Sequence, residues 1–146
     1  MEFREAVKVC LTRNYCRFKG RASRSEFWWF CLFSTILSIL VAVLGALAPA
    51  LASIVSAGQG LWLLLPTVGV TTRRLHDRDF SGWWQALPLL LVLPGIAGAA
   101  LDATWLLACS AAAAGLVSLA LMVLYALKGT CGPNRFGPDP LDGTAV

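Results

Sequence analysis

The residues best suited to chemistry lie in one short polar segment, residues 73–84, with the sequence RRLHDRDFSGWW. Within it, His76 could act as a general base, Asp77 or Asp79 could orient it, and an arginine could stabilise negative charge. A His-Asp dipeptide is a weak signal, because adjacent side chains rarely point at each other. The arginines also suit an anion site, since planar guanidinium groups bind phosphate and carboxylate in bidentate geometry.

Other catalytic and metal-binding motifs are absent from the sequence. It contains no H-E-x-x-H, glycine-rich phosphate loop, C-x-x-C or serine elbow. The single histidine, His76, has no nitrogen or sulfur partner at a spacing suited to zinc, and the five cysteines indicate no disulfide framework. We therefore expect no metal and no cofactor, and a protein that is not an enzyme.

Two long apolar tracts flank the polar segment. Residues 27–72 contain no Asp, Glu, Lys or Arg, and residues 80–127 contain only Asp102. The chain is 58% hydrophobic and 14% charged, with a mean hydropathy of +0.70. A water-soluble protein of 146 residues cannot form a hydrophobic core large enough to bury such tracts, so these values predict an integral membrane protein.

The tract lengths predict four crossings, because a spanning helix needs about 20 apolar residues. We predict an all-α, integral membrane fold in a single domain, residues 1–146. Its four transmembrane helices form two hairpins, and an N-terminal amphipathic interfacial helix precedes them. The predicted helices span residues 23–47, 52–74, 83–98 and 103–127, with a loop at 75–82 and a C-terminal loop at 128–146. A re-entrant hairpin is the alternative for the third and fourth helices.

Local signals refine these helices. Gly45 and Pro49 favour a tight turn in the first hairpin. Pro66 should kink the second helix, which membranes tolerate when a neighbouring group satisfies the freed carbonyl. Ala111 and Gly115 form a small-xxx-small pair that would permit close packing of the fourth helix.

The N-terminal residues 1–22 predict the amphipathic helix and a turn. Its apolar face carries Phe3, Val7, Cys10 and Leu11. This pattern is typical of a helix on a membrane surface. Packing against the protein's own loops is the alternative.

Residues at the start of each tract predict structural roles. Ser23 and Glu26 form a capping box, in which the Ser23 hydroxyl accepts from the Glu26 N–H and the Glu26 carboxylate accepts from the Ser23 N–H. Two tryptophan pairs predict interfacial anchors at the membrane surface. They are Trp28 and Trp29, and Trp83 and Trp84.

The basic residues predict the orientation. With four crossings, all 12 Lys and Arg residues fall on one side of the membrane, and the far loops carry only Asp102. The positive-inside rule then places both termini and residues 73–84 in the cytoplasm.

Four crossings also bring three polar segments to this face. The candidates for binding an anion, a lipid or a partner are Arg21, Arg24, Arg73, Arg74, His76, Asp77, Arg78, Asn134 and Arg135. One interpretation is a self-satisfied cap of Arg–Asp pairs. The hypothesis we adopt is a non-enzymatic cap that binds anionic lipid head groups or a partner protein, which could be a second copy.

Other functions remain as alternatives. One is a small oligomeric transporter or channel for a neutral solute, and another is a membrane enzyme that uses His76 and Asp77. Nucleic acid is not an expected partner, because the basic residues lie in membrane-proximal loops.

Three segments together resemble a known family. They are FKGRASRSEFW at 18–28, RRLHD and SGWW within 73–84, and GTCGPNRFGPDP at 129–140. In wording and order they are similar to the small bacterial inner-membrane proteins of domain-of-unknown-function family 805. The resemblance covers about residues 10–140 and implies a multi-pass inner-membrane protein with no catalytic residue to carry over. The second apolar tract is longer here than in many members, so the topology rests on the charges.

Overall fold

The computed structural model describes residues 1–141, so the end of the predicted C-terminal loop, 142–146, lies outside the described residues. The described chain forms five α-helices and no strand. The helices are α1 (Phe3–Leu11), α2 (Arg24–Leu47), α3 (Pro49–Asp77), α4 (Leu87–Ala100) and α5 (Thr104–Ala126), and a 3₁₀ helix (Gly82–Ala86) leads into α4.

Four helical segments are long and apolar enough to cross a membrane. They are α2, α3, the continuous stretch Gly82–Ala100, and α5. α2 packs along α3, and α4 packs along α5, whereas the two hairpins meet mainly where α3 contacts the 3₁₀ helix and α5. The predicted all-α membrane fold with two hairpins and an N-terminal helix is confirmed.

The turn of the first hairpin is shorter than predicted. α2 ends at Leu47, Ala48 alone connects the two helices, and Pro49 occupies the first turn of α3. Proline fits that position, because the first N–H groups of a helix have no intrahelical partner. The predicted start at residue 52 is therefore wrong by three residues.

The C-terminal end of α3 lies three residues later than predicted. Residues 75–77, predicted as loop, form the last turn of α3, which ends in a Schellman motif. The N–H of Phe80 donates to the Leu75 carbonyl at 3.0 Å, and the N–H of Asp79 donates to the His76 carbonyl at 3.0 Å. Asp79 takes the left-handed conformation that this motif requires, with φ 62°. The dense charges do not end the helix, because its buried arginines have partners elsewhere in the chain.

The third spanning segment begins as a 3₁₀ helix. Residues 82–86 form this tighter helix, and α4 follows from Leu87 to Ala100, two residues beyond the predicted end. A Cβ at Gly82 would lie 2.5 Å from Thr72 Cγ2, so the 3₁₀ helix packs closely on α3 at this glycine.

The second hairpin is joined by a serine inserted between α4 and α5. Ser110 on α5 accepts a hydrogen bond from the Gly95 N–H at 3.1 Å and donates to the Leu91 carbonyl. A Cβ at Gly95 would lie 2.8 Å from Ser110 Oγ, so glycine permits this approach. A Cβ at Gly115 would meet nothing within 4 Å, so the close packing predicted from Ala111 and Gly115 does not occur within the described chain.

α1 packs against the first hairpin. Its Ala6 and Cys10 are buried, and Cys10 belongs to a core cluster with Phe27 and Phe30 of α2. The Phe3 ring packs edge-on against Trp29, with centroids 5.7 Å apart. The apolar face of this amphipathic helix is thus covered by the protein itself.

A tyrosine just after α1 satisfies the carbonyl that Pro66 leaves free. Proline has no N–H, so the carbonyl four residues earlier, that of Trp62, lacks its helical donor. The Tyr15 hydroxyl donates to that carbonyl at 2.7 Å. This contact meets the condition under which a membrane helix tolerates an internal proline.

Candidate functional site

The polar residues gather at the end of the bundle where α2 and α4 begin and α3 and α5 end. We call this region, residues 12–26, 72–82 and 127–141, the polar cap. It contains every Lys and Arg of the chain except Arg4 and Lys8, which lie on α1. The opposite end has only the short turns at Ala48 and at residues 101–103.

Asp77 is at the centre of the polar cap. Its Oδ1 accepts from Arg21 Nε at 2.9 Å and lies 2.8 Å from Arg21 Nη2, while Oδ2 pairs with Arg74 Nη1. The Arg74 and Arg21 side chains are 0% and 1% exposed, and that of Asp77 is 5% exposed. One buried carboxylate thus neutralises part of the charge of two buried guanidinium groups.

Backbone carbonyls accept the remaining hydrogen bonds of the Arg21 and Arg74 guanidinium groups. Arg21 donates to the carbonyls of Thr130 at 2.5 Å and Gly132 at 2.6 Å. Arg74 donates to the carbonyl of Tyr125 at 2.9 Å and to that of Leu127, at the end of α5. Cations are favourable at a helix C-terminus, where the last carbonyls have no intrahelical donor.

A second buried ion pair joins α3 to the start of α2. Arg73 Nη2 lies 2.7 Å from Glu26 Oε1, and its Nη1 donates to the Arg17 carbonyl at 2.6 Å. The same Glu26 oxygen accepts from Asn14 Nδ2 at 3.4 Å and from the Cys10 thiol at 3.6 Å. Burial, followed by the nearby Glu26 charge, raises the pKa of Cys10 to about 12, so this thiol stays protonated.

The capping box at the start of α2 is half formed. Ser23 Oγ accepts from the Glu26 N–H at 3.2 Å, as predicted. The Glu26 carboxylate, however, pairs with Arg73 and does not accept from the Ser23 N–H. The Arg73 guanidinium binds the Glu26 carboxylate in place of the Ser23 N–H, because a charge-assisted hydrogen bond is stronger than one from a neutral N–H.

Gly129 is required by the Asp77 cluster. A Cβ at this position would overlap the Asp77 carboxylate. The Thr130 N–H donates to the Asp77 backbone carbonyl at 2.9 Å, so the chain passes directly over the end of α3. No glycine signal in the sequence could identify this contact, since its partner is 52 positions away.

His76 and Asp77 do not form a catalytic pair. His76 Nδ1 lies 3.1 Å from the Gly20 carbonyl, and its ring stacks on Phe136 at 3.8 Å with an interplanar angle of 4°. Asn134 Nδ2 donates to the His76 carbonyl at 2.9 Å. His76 therefore contacts residues 20 and 134–136, while the Asp77 carboxylate binds arginines.

The remaining candidate arginines lie nearer the surface. Arg135 Nε pairs with Asp79 at 3.0 Å, with both side chains about half exposed or more, and its guanidinium lies 4.7 Å from the centre of the Phe136 ring. Arg78 donates to the Lys128 carbonyl. Arg24 is exposed.

Burial changes which residues can bind an external anion. Arg21, Arg73 and Arg74 were candidate ligands, but they are buried and already paired with carboxylates and carbonyls. Arg24 remains, and Lys128, which was not a candidate, is exposed beside it. The sequence feature that could have identified Lys128 is its position directly after the last spanning helix.

Arg24 and Lys128 line a polar pocket of about 260 Å³ at the start of α2. Ser25 lines it too, and the rest of the lining includes residues 128–131 and 139–141. An adjoining groove of about 520 Å³ is lined by Arg24, Ser25, Trp28, Trp29, Leu32 and Ala126. The two spaces share Arg24 and Ser25 in their linings, so the polar pocket adjoins an aromatic and apolar groove between α2 and the end of α5.

The predicted tryptophan anchors lie at this level of the helices. Trp28, Trp29, Trp83 and Trp84 are all exposed, and Trp83 is 83% exposed. No group of three or more His, Cys, Asp or Glu side chains among residues 1–141 could hold a metal ion.

Comparisons with known proteins identify relatives. Residues 15–138 match a family described as "Protein of unknown function (DUF805)". The inner membrane protein YhaH of Escherichia coli K12 is 36% identical over 132 residues, which cover 88% of this chain and 90% of YhaH. The inner membrane protein YhaI is 33% identical, covering 93% of this chain and 96% of YhaI. The uncharacterized protein YiiR is 35% identical, covering 86% of each chain. No solved structure matches this chain.

Proposed function

Since the chain belongs to the DUF805 family of multi-pass inner-membrane proteins of unknown function, we propose that it binds an anionic phospholipid through Arg24 and Lys128. The observation that carries this proposal is that the pocket lined by Arg24 and Lys128 adjoins the apolar groove beside Trp28 and Trp29, with Arg24 and Ser25 lining both. The proposed role is binding, without catalysis.

The pocket suits a phosphate group. Two exposed cations line it, and Ser25 adds a hydroxyl that can donate to a phosphate oxygen. Asp139 also lines the pocket, and its carboxylate oxygens accept from the N–H groups of Gly132 and Leu141. The pocket also lies at the N-terminus of α2, a helix of 24 residues whose dipole favours an anion at this end.

The adjoining groove suits an acyl chain. Trp28 and Leu32 are exposed along one side of α2, and Ala126 at the end of α5 leaves space between the helices. The groove runs from the head-group level towards the bilayer interior, in the direction that an acyl chain takes from its phosphate.

The proposed orientation agrees with this ligand. All 12 Lys and Arg residues lie on the side of the polar cap, so the positive-inside rule places the cap in the cytoplasm. The cytoplasmic leaflet is the one rich in anionic lipids, and each Lys or Arg near it contributes about 1 kcal/mol.

Native mass spectrometry with phosphatidylglycerol tests the proposal. The variant Arg24→Ala/Lys128→Ala should bind this lipid about tenfold or more weakly, because it loses two phosphate contacts. The variant Arg13→Ala/Lys19→Ala is the matched control, since it removes one exposed Arg and one exposed Lys outside the pocket. Equal retention of phosphatidylglycerol by the two variants would rule out the site. A loss shared with zwitterionic phosphatidylethanolamine would also contradict it.

A further inference from the structure

A second cavity lies on another side of the bundle, between α3 and the start of α4. It has a volume of about 560 Å³, within the usual range for small-molecule sites. We call it the α3–α4 cavity. Its lining contains no Lys, Arg, Asp or Glu, and consists of Phe18, Val68, Thr72, His76, Ser81, Gly82, Trp83, Gln85, Ala86 and Leu89.

The polar groups on one wall are already occupied. Gln85 Nε2 donates to Thr72 Oγ1 at 2.6 Å, and Thr71 Oγ1 donates to Gln85 Oε1 at 2.5 Å. These bonds, with the close approach of Gly82 to Thr72, fix the 3₁₀ helix against α3. The wall is therefore preformed.

Two polar atoms remain available to a ligand. His76 Nδ1 faces the Gly20 carbonyl, so Nδ1 carries the hydrogen and Nε2 of the neutral ring is an acceptor. No side-chain hydrogen bond within residues 1–141 engages Nε2. The Ser81 hydroxyl accepts only a long bond of 3.5 Å from the Trp83 N–H, so its own hydrogen is free to donate.

The remaining lining is mostly apolar, and part of it lies on the outer surface of the third spanning segment. Trp83 and Leu89 are 83% and 70% exposed, and both line the cavity. A ligand could therefore keep its apolar part in the membrane while its head meets His76 and Ser81. A phosphate would lose its hydration here without gaining a countercharge, which is unfavourable.

We propose that the α3–α4 cavity binds a neutral lipid whose head carries hydroxyl groups, such as a monoacylglycerol. One hydroxyl donates to His76 Nε2, and the same head accepts from Ser81. The acyl chain lies over Trp83 and Leu89. This site is separate from the anionic-lipid pocket, and neither proposal depends on the other.

Photocrosslinking in nanodiscs tests the proposal on the wild-type protein. A monoacylglycerol with a diazirine in its acyl chain should label residues 81–89 and 68–76, and excess monoolein should suppress this label. A diazirine-bearing lysophosphatidic acid should not label these residues. Labelling that monoolein does not suppress, or equal labelling by the anionic probe, would overturn the proposal.

Variants locate the binding determinants. Ala86→Phe should fill the cavity and abolish the label, whereas Ala99→Phe, on the exposed face of α4, should not change it. His76→Phe should weaken competition by monoolein about three- to tenfold, the effect of one lost hydrogen bond. Wild-type labelling in Ala86→Phe would overturn the proposal. If that variant fails to fold, the wild-type competition result decides.

Arg24→Ala/Lys128→Ala distinguishes the two sites. It should leave the monoacylglycerol label unchanged while phosphatidylglycerol binding falls. A parallel loss of both ligands would mean that the α3–α4 cavity has no independent affinity.

Discussion

At the scale of single residues, Asp77 connects α3 to segments before α2 and after α5. Its carboxylate pairs with Arg21 and Arg74, and its backbone carbonyl accepts from the N–H of Thr130. Removing one partner of a buried ion pair is far more costly than removing an exposed one, because a charge is left uncompensated in a low dielectric.

We expect Asp77→Asn to lower the free energy of unfolding by about 3–5 kcal/mol. The matched control is Asp79→Asn, whose partner Arg135 is exposed, and which should cost less than about 1 kcal/mol. Unfolding by SDS titration in detergent micelles measures both. Similar effects of the two substitutions would contradict the structure around Asp77.

A further prediction concerns Cys10, which reports whether α1 is docked. Burial raises its pKa to about 12, from a usual value of 9.0, so at pH 8 its thiolate fraction is roughly a thousandfold smaller than that of an ordinary thiol. We expect N-ethylmaleimide to label Cys10 far more slowly than the exposed Cys16 in single-cysteine variants.

The same shift predicts a pH dependence. Because the folded pKa lies above the unfolded one, the contribution of Cys10 to stability is complete below pH 9 and is lost as the pH rises from about 9 to 12. Cys10→Ala should reduce this alkaline loss. Equal labelling rates of Cys10 and Cys16 at pH 8 would mean that α1 does not stay docked.

At the scale of elements, α3 depends on a residue outside the helices. Pro66 frees the Trp62 carbonyl, and Tyr15 donates to it. We expect Tyr15→Phe to lower the free energy of unfolding by about 1 kcal/mol, the usual value of one hydrogen bond. In a Pro66→Ala background the helix regains its own donor, so Tyr15→Phe should cost less there. A double-mutant cycle measures the difference, and purely additive effects would argue against the contact.

Hydropathy was sufficient to predict the helices of the bundle, but not their polar ends. Each apolar tract is long enough for two crossings, and α2 and α5 begin and end within a residue of the predicted positions. The predicted end of α3 was too early, because the charges of Arg73, Arg74 and Asp77 were expected to end the helix. In the structure Arg74 pairs locally with Asp77, and the other partners of these three residues are 47 or more positions away. The sequence does not show these distant contacts.

The same limitation applies to the candidate site. The polar cap was predicted to gather three segments, and the structure brings Arg21, Arg74 and Asn134 into it. Which cations remain exposed depends on tertiary packing, and residue type does not reveal it. Arg74 and Arg24 are both arginines that precede a carboxylate residue by two or three positions, yet Arg74 is buried and Arg24 is exposed beside a pocket.

At the scale of the whole molecule, two helical hairpins are joined mainly through the polar cap. The helices pair within each hairpin, and contacts between hairpins are concentrated near the cap end of α3 and α5 and at the 3₁₀ helix. The topology therefore places residues 18–28, 73–84 and 129–140 on one side of the membrane.

Reporter fusions test the side. Alkaline phosphatase, which is active only in the periplasm, should be inactive when fused after Val146 and active when fused after Asp102. A green fluorescent protein fusion after Val146 should fluoresce. Phosphatase activity at the C-terminus would contradict both the orientation and the proposed contact with the cytoplasmic leaflet.

The contacts of Arg21 and Arg74 also have a consequence for biosynthesis. Their carbonyl partners, at Tyr125, Leu127, Thr130 and Gly132, are synthesised after both helices of the first hairpin. Until these partners emerge, the described acceptors of the two guanidinium groups are the Asp77 carboxylate and the Ala22 carbonyl. We therefore expect a chain truncated before these residues to leave Arg21 and Arg74 short of hydrogen-bond acceptors and accessible to water.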